Sequence, residues 1–201
     1  PILKLPPAMC WRRALLAGVA LALAACSQGG EAPEPAIPDE SLTQSPQPAA
    51  SVDLTETVSD TRDLLLRYAA QGSLTRLERL ADQSDGFISN FKCQPHREFW
   101  DLLRRTGLDP NLKLRQLLDQ APGVRMVDGE RWYVWPALAA RDANELIPEK
   151  LSFQERKELR ELIGDDGIDS IRAGKGYPGM RTAIAEDGRW VYFVLGLDGE
   201  E

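Results

Sequence analysis

Between Asp60 and Ala70 the apolar residues Leu64, Leu65, Tyr68 and Ala69 fall on one face at helical spacing, the pattern of a helix with one buried side. Gly72 interrupts it, and Leu74, Leu77 and Leu80 resume it in a second short helix. Asp85-Gly86 then turns the chain into Phe87-Ile88-Ser89-Asn90-Phe91, a candidate short strand. Pro95 suits the first turn of a third helix, which carries Phe99, Leu102 and Leu103 and closes at Gly107. Asp109-Pro110 repeats that start signal for a fourth helix with Leu114, Leu117 and Leu118, ended by Pro122.

The second half has a different pattern. Asp128-Gly129 and Asp187-Gly188 are two-residue turns of the kind that favours tight hairpins, in which both central positions take positive φ. The first joins Arg125–Val127 to Arg131–Trp135, and the second joins Thr182–Ala185 to Arg189–Val194. Glu186 and Arg189 flank the second turn with opposite charges, which suits a cross-strand pair. Between the hairpins, Ser152-Phe153-Gln154-Glu155 has the form of a capping box, opening a helix through Leu159 and Leu162 to Gly164. The two hairpins resemble each other, either through duplication or through shared turn chemistry and aromatic strand preference. The fold expected is α+β, a helical first half packed on a small antiparallel sheet built from the hairpins of the second half.

Upstream of these elements the chain changes character. Arg12-Arg13 is followed by an apolar run from Ala14 to Ala25, about a dozen residues and short of the ~20 needed to cross a bilayer. That order is the layout of a cleaved export signal over residues 1–25, with Met9 as the expected start. Leu23-Ala24-Ala25-Cys26 resembles the lipobox of bacterial lipoproteins, and Arg12-Arg13 also bears some likeness to a twin-arginine signal. The lipobox resemblance implies that Cys26 becomes the first mature residue and carries acyl chains, so that the protein sits on a membrane without spanning it. Ser27, in place of aspartate, favours outer-membrane sorting within the lipoprotein class.

Residues 26–50 hold Pro33, Pro35, Pro38, Pro46 and Pro48 among small, polar and acidic residues, too few large apolar groups to offset the entropy of ordering. As a tether they would span roughly 25–30 Å as a flexible coil, or about 75 Å in polyproline form. Residues 51–201 are then of a length usual for one globular domain. The chain has 24 Lys and Arg against 31 Asp and Glu, a net −7. Removing Lys4, Arg12 and Arg13 with the signal leaves −10, of which Glu31, Glu34, Asp39 and Glu40 in the tether supply −4 and the domain −6. That balance argues against nucleic acid or an anionic lipid surface as a partner.

Four places invite chemistry. Cys93-Gln94-Pro95-His96 brings the one cysteine of the mature domain close to the one histidine of the chain, and a thiolate beside an imidazole and a helix N-terminus is the pairing that cysteine nucleophiles use. The alternative is a buried cysteine beside a capping or surface histidine, and two ligands are too few for zinc. Asp165-Asp166-Gly167-Ile168-Asp169 lacks the ligand order of a calcium loop and reads as a solvated turn. Gly174-Lys175-Gly176-Tyr177-Pro178-Gly179 lacks Walker spacing and reads as a loop in which an exposed Tyr177 is a candidate ligand contact. The aromatic set Trp132, Tyr133, Trp135, Trp190, Tyr192 and Phe193 reads chiefly as core, with Trp132 and Trp190 as candidates for a glycan or peptide groove. Strict alternation places Trp190, Tyr192 and Val194 on one face, and Val191, Phe193 and Leu195 on the other.

The lipobox, the proline-rich tether and the closing run Asp187–Val194 together resemble uncharacterised envelope lipoproteins of proteobacteria. The expectation is a lipid-anchored, non-catalytic binding or accessory domain facing the periplasm, with an envelope protein or cell-wall partner and no cofactor or metal. The alternative is a cysteine-dependent hydrolase or thiol oxidoreductase using Cys93 and His96.

Overall fold

The computed structural model describes residues 52–90 and 95–196, all within the unit Ala50–Glu201. The export signal, Cys26, the tether and Cys93 lie outside the described residues. The fold is α+β, with helices first and most of the sheet after them. Helices α1 (Glu56–Ala70), α2 (Leu74–Gln83), α3 (His96–Arg105) and α4 (Pro110–Leu118) precede the hairpin strands. α1 begins four residues before the expected Asp60, and the added turn buries Val58. The Asp109-Pro110 start acts as read, with Asp109 Oδ1 accepting from the Asn111 amide at 3.0 Å and Pro110 in the first turn of α4; at the start of α2, Ser73 Oγ accepts from the Arg76 amide. Arg62 on α1 donates to the Leu118 carbonyl at 2.7 and 3.1 Å, which ties α1 to the C-terminal end of α4.

The sheet contains β1 (Ile88–Ser89), β2 (Gly123–Val127), β3 (Glu130–Trp135), β4 (Met180–Ala185) and β5 (Trp190–Leu195), in the order β1-β5-β4-β3-β2. Both expected hairpins form, β2–β3 and β4–β5, and β3 pairs antiparallel with β4 between them. The sheet is mixed and not purely antiparallel, because the short β1 arrives from the helical half and pairs in parallel with β5.

The two turns differ despite their shared Asp-Gly. At the first, Asp128 (φ 52°) and Gly129 (φ 87°) are both left-handed, as a tight two-residue turn requires. At the second, only Gly188 (φ 89°) is, and Asp187 instead uses Oδ1 to accept from the Arg189 amide at 2.9 Å. The expected Glu186–Arg189 pair does not form. Register places Trp132 opposite Ala185, and the Glu186 amide continues that ladder by donating to the Arg131 carbonyl. Glu186 therefore pairs with Arg131 at 3.2 Å, while Arg189 reaches across to Glu130 at 2.7 Å.

A register shift in the β4–β5 pairing, where Ala183 faces Tyr192 but the next residue Ile184 faces Trp190, resets the alternation of β5. Trp190 consequently shares a core with Phe193 and Leu195, and Val191 and Tyr192 belong to the opposite side. This corrects the strict alternation expected from the sequence. One sheet face, with Tyr133, Trp135, Ile184, Trp190 and Phe193, packs on α1–α4 through residues such as Leu65, Leu77, Trp100 and Leu114. The other carries Val134, Ala183, Ala185 and Val191 against α5 (Phe153–Arg172) and the short 3₁₀ turn Ala137–Ala140.

α5 starts at the expected capping box: the Ser152 amide donates to Glu155 Oε2 at 2.9 Å, and the Glu155 amide donates to Ser152 Oγ at 3.3 Å. It does not stop at Gly164. That residue is left-handed (φ 68°) and breaks the axis, after which the helix resumes to Arg172. Asp165–Asp169, expected as a turn, is therefore helical, because Ile168 and Ile171 bury against the sheet and hold the second segment in place. Among the described residues no helix is long and apolar enough to cross a membrane.

Candidate functional site

The α5 side of the sheet is only partly covered. Where it lies open, a groove of about 670 Å³ crosses the strands. Ala183 and Ala185 of the central strand project to this side and are fully buried, small enough to leave room for larger rings above β4. Trp132 on β3 and Tyr192 on β5 lean into that space from either flank, edge to face, with ring centroids 6.2 Å apart. Both rings line the groove and are half-buried. Trp132 is held in orientation by its indole N–H, which donates to Glu130 Oε2 at 2.7 Å. Glu130 also accepts from Arg189, and these bonds, Trp132 first, hold its carboxyl below the usual range.

The far wall is the segment after α5. Gly179 lies under the Tyr177 ring, and a Cβ there would approach that ring to 2.8 Å, so the close contact requires glycine. Tyr177 lines the groove but is buried, not exposed as its loop position suggested, and burial pushes its hydroxyl pKa up. It therefore stays a neutral phenol. Arg181 on β4 points to the same place, and its Nη1 donates to the Tyr177 carbonyl at 3.0 Å and the Gly179 carbonyl at 3.3 Å. At the other end Arg125 pairs with Asp142 at 3.2 Å, and Arg141 pairs with Glu155. Glu155 is kept ionised below the usual range, first by its bond with Ser152 and further by Arg141.

The remaining candidates are placed elsewhere. Trp190 has no exposed surface; its indole N–H donates to Thr182 Oγ1 at 2.9 Å inside the helix-side core. Tyr133, Trp135 and Phe193 are core rings as well. His96 opens α3 and packs between Phe87, edge-on at 4.9 Å, and Trp100, stacked at 5.9 Å. Its Nδ1 is 2.8 Å from Ser89 Oγ, a partner the sequence gave no sign of, since nothing in a seven-residue spacing marks the pair. Burial lowers the imidazole pKa, with Asp82 and Glu78 opposing. Ser89 is 3% exposed and is itself one of the residues lining the groove, so its bond links His96 to that surface. Among the described residues no cluster of His, Cys, Asp and Glu could hold a metal ion.

What sequence reading missed is Arg125, Arg141 and Arg181 as groove residues, and the two alanines that make room for the rings; Tyr192 stood in the aromatic set read chiefly as core. In a strand reading Arg-Thr-Ala-Ile-Ala, period-two alternation puts Arg181, Ala183 and Ala185 on one side and Thr182 and Ile184 on the other, and that is the signal that was present. No protein-family model, no curated protein and no solved structure matches the chain.

Proposed function

We propose that this chain is a lipid-anchored, non-catalytic binding protein of the bacterial envelope, and that the groove lined by Trp132 and Tyr192 is its working surface. The observation that carries the reading is the Trp132–Tyr192 pair, two large rings left half-buried over a hollow between Arg125 and Arg181. Pockets that bind small ligands are of this size and combine apolar walls with a few fixed polar groups. The Leu23–Cys26 run and the tether support attachment at Cys26 to the outer membrane, with the domain facing the periplasm. The proposed partner is an envelope protein or cell-wall component.

The test compares the full chain in a bacterial host with its Cys26→Ser and Trp132→Ala variants. Labelled palmitate should enter the wild type and Trp132→Ala and not Cys26→Ser. Trp132→Ala should fold but lose the envelope component that co-purifies with the wild type. Palmitate in Cys26→Ser would overturn the anchor, and an unchanged component on Trp132→Ala would overturn the groove.

A further inference from the structure

We propose that the groove takes an anionic ligand, its carboxylate or phosphate held by Arg181 and its ring or apolar body laid on Trp132 and Tyr192. The proposal rests on the binding reading above and adds the ligand class. Three guanidinium groups line the groove, and two of them have carboxylate partners: Arg125 has Asp142, and Arg141 has Glu155. Arg181 has none among the described residues. Its bonds go to two neutral carbonyls through one nitrogen, Nη1, which fixes the plane of the guanidinium and leaves Nε and Nη2 with unused donors.

A guanidinium with two adjacent free donors matches the two oxygens of a carboxylate or phosphate. The other ionisable group beside this wall, Glu158 on α5, is felt by the Tyr177 hydroxyl but makes no ion pair with Arg181. Burial, ahead of its neighbours Glu155 and Glu161, pushes its carboxyl pKa upward, with Arg141 opposing. Among the described residues, a chain of net charge −7 keeps Arg181 without a carboxylate partner inside its concave aromatic surface. Overall acidity repels anions at long range, so selection for this ligand comes from contact and not from steering.

The experiment follows tryptophan emission of the full chain on adding benzoate, phenyl phosphate or the neutral isostere benzamide. Trp100, Trp135 and Trp190 are fully buried, so Trp132 is the responsive indole among the described residues, and Trp132→Phe checks that assignment. At least one anion should bind ten-fold or more tightly than benzamide, and Arg181→Gln should abolish the difference. A preference for benzoate identifies a carboxylate head and one for phenyl phosphate a phosphate head. Equal binding of benzamide and both anions to the wild type overturns the anionic assignment while leaving the groove as a binding site, and needs no variant to fold. A preference that survives in folded Arg181→Gln removes Arg181 as the anchor. No Trp132 response to any probe at millimolar concentration overturns both this assignment and the groove reading.

Discussion

Trp132 and Tyr192 stand on strands that do not pair with each other, yet their rings meet at 6.2 Å across the strand between them. They do so because β4 presents Ala183 and Ala185 to that side. The same strand presents Thr182 and Ile184 to the helices, where they are fully buried. One strand therefore fills the helix-side core on one face and makes room for the ring pair on the other.

Ala185→Leu should fill the space under the ring pair. Overpacking at a fully buried site costs about 1–3 kcal/mol, which for a domain of this size lowers the thermal midpoint by roughly 2–4 °C per kcal/mol. Calorimetry should show that loss, and the groove should lose its ligand response in the folded variant. Retained binding would show that the groove does not depend on the alanines.

Thr182 Oγ1 donates to the Tyr192 carbonyl at 2.7 Å and accepts from the Trp190 indole at 2.9 Å. Thr182→Val keeps the shape and removes both bonds, stranding a buried indole N–H at a cost of about 1–3 kcal/mol. Thr182→Ser keeps the hydroxyl and gives up one methyl, about 0.8 kcal/mol. Urea midpoints should rank wild type above Ser and Ser above Val; reversal of the two variants would contradict the relay.

Gly188→Ala should cost more than Gly72→Ala. Both positions are left-handed, at φ 89° and 65°, and each substitution incurs about 1–2 kcal/mol for that alone. At Gly188 the new Cβ would also lie 3.2 Å from the Thr57 carbonyl and from Thr61 Oγ1, whereas at Gly72 it meets nothing within 4 Å. Thr61 Oγ1 also donates to the Gly188 carbonyl, so the clash loosens α1 from the second turn. Paired denaturation curves check the order.

The single histidine makes one pH dependence readable. Burial holds the His96 pKa below its ordinary 6.5, so the fold favours the neutral ring. Its contribution to stability is fully present above pH 6.5. As pH falls from 6.5 through the lowered folded value, the unfolded chain takes up the proton first and that contribution is lost. The stability difference between wild type and His96→Gln should therefore shrink over this window, ahead of the carboxylates Glu130 and Glu155, which are held below 4.5. A difference independent of pH would show that His96 titrates alike in both states.

The helices were legible from their apolar faces, and α3, α4 and α5 also from a proline or cap at the start; α1 has no side-chain cap at Thr55, and its start lay a turn earlier than expected. The hairpins were legible from Asp-Gly alone. The charge pairing was not, because Glu186 and Arg189 are neighbours in sequence while register gives each a partner on the other hairpin, Arg131 and Glu130. Nor was the continuation of α5, since Gly164 does break the helix but Ile168 and Ile171 recover it by tertiary burial. The groove was half legible: Trp132 and Tyr177 were singled out, but their company with Tyr192 depends on the bulge in β5, which no alternation pattern reveals.

Photo-crosslinking in living cells asks whether the open face of the sheet is the working surface. A crosslinker replacing Val127, at the groove, is compared with one replacing Leu112, 47% exposed on α4. Position 127 should give a discrete envelope adduct, competed by the anion that the groove binds, and position 112 none. Adducts from position 112 alone, or the same adduct from both, would contradict that role for the open face.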